Sequence, residues 1–147
     1  MSDAELLACA EWVAHGIEIV FSPFPGWRFT AADTAAGFGM HAAFLHGPPR
    51  PAHAIDPEAL VQCRLTLRCD DGTVLEGRGA DVLDGPLAAL RHLLRELARL
   101  PGAPALAPGE IVTTGTPTDA PPLAAGQRWR TELTGLDLPG VDLRFTG

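Results

Sequence analysis

The sequence predicts an α+β domain, and three observations carry that prediction. Leu60 to Cys69 alternates Val61, Cys63, Leu65, Leu67 and Cys69 with Gln62, Arg64, Thr66 and Arg68, the pattern of a strand with one buried and one wet face. Leu87, Leu90, Leu93, Leu94, Leu97 and Leu100 recur at helical spacing, with Arg91, Arg95 and Arg99 on the opposite side. Other short apolar segments fall between Gly/Pro loops in irregular order. They lack the strand–helix alternation of a doubly wound sheet.

From the N-terminus, Asp3 to Ala14 reads as a helix with Leu6, Leu7, Ala10 and Val13 on one face and Ser2 or Asp3 as its cap. Gly16 ends it. Ile17 to Phe21 is short and β-branched, hence a strand. Alternation sets Glu18 and Val20 on one face and Ile17, Ile19 and Phe21 on the other. Ser22 to Trp27 is a loop punctuated by Pro and Gly. Ala31 to Ala36 suggests a helical turn capped by Thr30. Phe38 to Leu45 is a candidate strand, and His46 to Pro51 is loop. Asp70-Asp71-Gly72 is a hairpin turn after the 60–69 strand, with the return at 73–79. Pro86 to Leu100 is a helix capped by Asp84 or Gly85, with Pro86 suited to its first turn. Further strands are expected at Glu110 to Thr114, Arg128 to Thr134 and Val141 to Phe145.

The 147 residues form one expected domain, 1–147, with no internal repeat. Hydrophobic residues are 46% and charged residues 20%, which separates the chain from disordered sequences. The net charge of −7 shows no basic stripe and argues against a nucleic-acid partner. All eleven basic residues are arginine, so a lysine Schiff base is excluded for this chain acting alone. Apolar runs fall well short of the roughly 20 residues that span a bilayer, and the polar, acidic start is unlike a signal peptide. No membrane partner and a cytoplasmic location are expected. Cys9, Cys63 and Cys69 lack CxxC spacing and read as free thiols, with a metal or redox site as the alternative.

Few motifs carry chemistry by themselves. The five histidines form no HExxH or HxH pattern, and neither serine lies in GxSxG. Gly37-Phe38-Gly39 is no phosphate loop. Glu18 stands out because a carboxylate on an apolar strand must be solvated, paired with arginine or bound to a cation. Asp33 is either a helix cap or a functional acid. Gly109 to Thr116 is a strand ending in small and hydroxyl residues, a pattern that can present donors to an acid substrate.

Taken together these segments resemble the fumarylacetoacetate hydrolase superfamily, most closely its 2-keto-4-pentenoate hydratase branch. Gly16-Ile17-Glu18-Ile19-Val20 resembles the family strand that carries a metal-binding glutamate. Trp27 with Ala31-Ala32-Asp33-Thr34-Ala35-Ala36 is similar to the family's tryptophan and Asp-Thr segment. Leu75 to Ala80 leading into Gly85 to Leu90, and Gly109 to Gly115 followed by Ala125-Gly126-Gln127, match two further stretches in the family's order. The resemblance runs from about Glu11 to Phe145.

The resemblance implies a mixed, rolled β-sheet of the superfamily's C-terminal-domain type with a helix near 86–100 packed on it. It also implies Mg²⁺ or Mn²⁺ held by carboxylates, with Glu18 as the metal ligand, Asp33 as a catalytic residue, and Thr114 and Gly115 as substrate-binding residues. The implied substrate is a small 2-oxo acid or its 2-hydroxy-dienoate form, as in aromatic catabolism. The implied assembly is a homo-oligomer or a complex with a related chain. The family's Glu-x-Glu pair and catalytic lysine lie upstream of the Glu18 strand, and this chain has neither. Phe21 and Pro23 also replace the residues that flank Ser22 in the family. The expectation is therefore a hydratase-like lyase lacking the family's N-terminal portion and incomplete as a lone chain. The alternative is a non-catalytic binding or assembly module of the same fold that partners a full-length hydratase or decarboxylase. A third reading is a working enzyme that uses Glu18 with Asp33 or a histidine.

Overall fold

A computed structural model describes residues 1–146. Helices and antiparallel strands alternate irregularly along it, which makes the architecture α+β. Helix α1 spans Asp3–Ala8, α2 Ala31–Ala36, α3 Pro57–Gln62 and α4 Pro86–Arg99. The strands are β1 Trp12–Val13, β2 Gly16–Val20, β3 His41–His46, β4 Arg50–Pro51, β5 Arg64–Cys69, β6 Val74–Arg78, β7 Arg128–Thr134 and β8 Asp142–Arg144. They form a four-stranded sheet in the order β6-β5-β7-β8 and two separate pairs, β1-β4 and β2-β3. All of these pairings are antiparallel. The single mixed, rolled sheet is thus corrected to three smaller sheets among the described residues.

The core lies where α1, α3 and α4 meet the four-stranded sheet. Leu6, Leu7, Ala52, Ile55, Leu60, Leu87 and Leu138 are buried together, and Leu90, Leu94 and Leu133 pack against them. Trp129 is also buried, and its indole N–H donates to the Gln127 side-chain oxygen. Burying side chains of this size contributes about 1.5–3 kcal/mol each. Gly79 permits one close approach in this region. A Cβ there would sit 1.8 Å from the Leu60 carbonyl oxygen, so any side chain would force backbone apart.

Several elements form where expected. The Asp70-Asp71-Gly72 turn joins β5 to β6, with Leu65 opposite Gly77. Helix α4 starts at Pro86 with Gly85 as its cap. Strand β8 is slightly shorter than the expected 141–145.

Three boundaries are corrected. Helix α1 starts at a capping box formed by Ser2 and Glu5 and stops at Ala8, where the Cys9 N–H closes on the Leu6 and Leu7 carbonyls. The aromatic and β-branched pair Trp12–Val13 then pairs with Arg50–Pro51, which was expected to be loop. Residues 57–62 are helical and only 64–69 is strand. Asp56 accepts the Glu58 N–H at 3.1 Å, and Pro57 takes the first helical position, so the start of the apparent alternation is a capped helix.

The expected strand at Glu110 to Thr114 is absent. Ile111 and Val112 have strand chemistry, but among the described residues no neighbouring strand pairs with them. Glu110 folds back locally instead, with its N–H on the Ala107 carbonyl and its carboxylate accepting the Ala107 N–H.

Candidate functional site

The β2–β3 hairpin presents Glu18. Its ladder runs Gly16 opposite His46, Ile17 opposite Leu45, Glu18 opposite Phe44 and Ile19 opposite Ala43. The register then slips, and Val20 lies opposite His41. Such a bulge re-aims the side chains beside it. His41 Nδ1 lies 2.7 Å from Glu18 Oε1. A carboxylate only accepts, so His41 donates through Nδ1. Both side chains are exposed, at 36% for Glu18 and 47% for His41. Of the possibilities open for Glu18, pairing with histidine replaces pairing with arginine.

The segment joining the two strands holds Asp33. Thr30 caps α2 by accepting the Asp33 N–H at 3.2 Å. Asp33 Oδ2 in return accepts the Thr30 N–H at 2.8 Å and the Thr30 hydroxyl at 2.9 Å. These bonds, the backbone one foremost, hold the Asp33 carboxyl below its ordinary range. The carboxylate is therefore ionised and occupied with the cap. The same segment has non-glycine residues in the left-handed region: Trp27 at φ 56°, Phe38 at φ 52° and Met40 at φ 63°. Strain of this kind concentrates at functional segments.

Thr114 and Gly115 lie elsewhere in the fold. Thr114 borders a groove of about 280 Å³ between α4 and the 112–114 segment, with Leu83, Leu90 and Leu93 on its walls. Gly115 adopts φ 106°, and a Cβ there would meet Val82 Cγ1 at 3.0 Å. Neither residue shares a hydrogen bond with Glu18 or Asp33.

His15 ties the hairpin to the main sheet. Its Nε2 lies 2.9 Å from Thr131 Oγ1 on β7, and its carbonyl accepts the Gly47 N–H at 2.8 Å. Burial pushes the imidazole below its ordinary pKa. In the sequence His15 and His41 are members of a scattered set of five histidines. Their partners are 116 and 23 residues away, so local spacing carries no sign of them.

The donor set can be tested against a divalent ion. Among the described residues no three His, Cys, Asp or Glu side chains converge on one point. Glu18 offers one carboxylate, already engaged on one oxygen by His41. Mg²⁺ gives up its water reluctantly, so one exposed carboxylate competes poorly for it. The residues present do not make a complete divalent-ion site.

Comparison with known proteins identifies the chain's relatives. It is 31% identical over 133 residues to 2-keto-4-pentenoate hydratase 1 of Dechloromonas aromatica, a match covering 90% of this chain and 49% of the hydratase. The chain is a homologue of the 2-keto-4-pentenoate hydratases. It matches their C-terminal part, and spans about half the length of the curated relatives it matches. The 2-hydroxyhexa-2,4-dienoate hydratase of Comamonas testosteroni is 28% identical over 134 residues, covering 90% of this chain and 48% of that one. Among solved structures, the magnesium and adipate complex of 4-oxalocrotonate decarboxylase from Pseudomonas putida G7 superposes with a TM-score of 0.81 at 25% identity. That match covers 97% of this chain and 52% of the decarboxylase. The same decarboxylase with calcium and acetate gives a TM-score of 0.78. No family model matches. The hydratase and decarboxylase likenesses are consistent with the fumarylacetoacetate hydrolase superfamily, and the related structures hold divalent cations. No helix among the described residues is long and apolar enough to cross a membrane.

Proposed function

We propose that the chain is the Glu18-bearing half of a hydratase-type catalytic unit acting on a small 2-oxo acid or its 2-hydroxy-dienoate form. The observation that carries this reading is the retained fold, with a TM-score of 0.81 to a magnesium-bound decarboxylase of related sequence. Glu18 supports it. The carboxylate sits on the one strand whose sequence resembles the family's metal strand, exposed and oriented by His41. Glu18 is the ligand this chain contributes, and the remaining oxygen ligands come from outside the 147 residues. Asp33 holds the loop between β2 and β3 in place through the Thr30 cap, a role compatible with a further part in the reaction. Thr114 and Gly115 are assigned to substrate binding by the likeness of Gly109 to Gly115 to the family's stretch. We place this activity in a soluble, cytoplasmic enzyme.

The test is turnover of 2-hydroxyhexa-2,4-dienoate and 2-keto-4-pentenoate by the purified chain with and without Mg²⁺. The expected outcome is little or no hydration by the chain alone and no rise in melting temperature with Mg²⁺, since a ligand that binds the native state must stabilise it. Robust Mg²⁺-dependent turnover by the chain alone overturns the incomplete-site reading. The non-catalytic alternative is separated by the assembled unit: binding without turnover favours an assembly module.

A further inference from the structure

We infer that the β2–β3 hairpin is a docking face for a polypeptide region equivalent to the remaining half of the 2-keto-4-pentenoate hydratases. That region, on this or another polypeptide, pairs with the hairpin's open edges and covers Phe21 and Phe38. The inference rests on the proposed function for the identity of the partner and on the hairpin's geometry for the surface.

Two strands alone do not make an independently stable sheet in water. The hairpin nevertheless buries no residue of β2 or β3. Its sequence is apolar: Ile17, Ile19, Ala43 and Phe44 are half-buried, and Leu45 is 40% exposed. Phe21 is 65% exposed and Phe38 87% exposed. The Phe21 N–H bonds the Met40 carbonyl at 2.9 Å, which brings the two ends of the connecting segment together. Exposed apolar side chains at Phe21, Phe38 and Leu45, on and beside a two-stranded sheet, have the composition of an interface rather than of a solvated surface.

The comparisons favour one occupant. This chain superposes over 97% of its own length while covering 52% of the decarboxylase. The rest of the decarboxylase has no counterpart in the 147 residues. A second copy of this chain brings only the same half and the same lone carboxylate. The complementary half is the occupant that supplies both missing backbone partners and further ligands. The unpaired Ile111–Thr114 segment is a second place where an incoming strand has open backbone groups to meet.

The test mixes the 147-residue chain with the separately expressed, unmatched half of Dechloromonas aromatica 2-keto-4-pentenoate hydratase 1. Sedimentation and hydrogen exchange are the readouts. The expected result is a one-to-one complex in which the amides of Gly16–Val20 and His41–His46 become protected. Phe21→Arg and Phe38→Asp weaken it by about tenfold or more while the melting temperature of the free chain is unchanged. Val74→Arg, at a residue exposed on β6, leaves binding unchanged. No complex overturns the inference, as does a complex indifferent to Phe21 and Phe38. A homodimer that already protects the hairpin amides overturns it in favour of a second copy. A complex that forms as expected but hydrates no dienoate leaves the docking face standing and removes the proposed function.

Discussion

The four-stranded sheet and the β2–β3 hairpin are built from similar residues, yet only the sheet buries any of its strand residues. In β5 and β7, alternate side chains find a second layer. Leu65, Cys69 and Trp129 are buried, while Arg64, Arg68 and Arg130 face water. In β2 the same alternation is present, but no layer covers it, and Ile17 and Ile19 stay half-exposed. Strand chemistry is enough to form a ladder, whereas burial needs a neighbour that the local sequence does not specify.

Removing one aromatic from each region is expected to have very unequal effects. Trp129→Ala is expected to cost about 3–5 kcal/mol in denaturant unfolding, because it leaves a cavity in a packed layer. Phe38→Ala is expected to stay within about 0.5 kcal/mol, since the side chain is 87% exposed. Similar losses at the two sites would show that the hairpin is packed after all.

A smaller effect sharpens the role of Asp33. Thr30→Ala removes the cap acceptor of α2 and is expected to cost about 1 kcal/mol, read as faster amide exchange in Ala31–Ala36. In an assembled, active unit, Asp33→Ala matching Thr30→Ala in its effect on turnover assigns Asp33 to positioning the loop. A far larger loss from Asp33→Ala assigns it to the chemistry.

His15 joins the two regions through Thr131. Burial lowers the pKa of His15, so the folded state resists its protonation. Its contribution to stability is complete above the ordinary imidazole range near pH 6.5. It is lost as pH falls through that range towards the depressed folded value. Melting temperature measured between neutral and mildly acidic pH is expected to fall in this window, and His15→Gln is expected to flatten the fall. An unchanged profile in His15→Gln assigns the acid sensitivity to other groups.

The same contrast explains what could be read in advance. The Thr30 cap, the Asp70-Asp71-Gly72 turn and the Pro86 helix start are local devices, and each forms at its expected place. The Pro57–Gln62 helix was hidden because Val61 and Cys63 extend the apolar alternation of β5 backwards. Asp56-Pro57 was the signal that could have revealed it. Ile111–Thr114 is not a strand for the opposite reason: its residues are suitable, but among the described residues no strand lies beside it. Glu18 was legible as an anomaly in its strand. Its pairing with His41 depends on a register slip in the hairpin, which no local pattern announces.

Glu18 has a second consequence, one of solubility rather than chemistry. It is the only charge on β2, in a chain with no lysine to guard an open edge. Natural sheets use such inward or edge charges to block edge-to-edge association. Neutralising Glu18 would leave Ile17 to Phe21 as an uninterrupted β-prone apolar run beside an unpaired edge. A Glu18→Ala protein is therefore expected to self-associate, and Glu18→Gln, which keeps a polar side chain at that position, is the safer probe of the carboxylate itself.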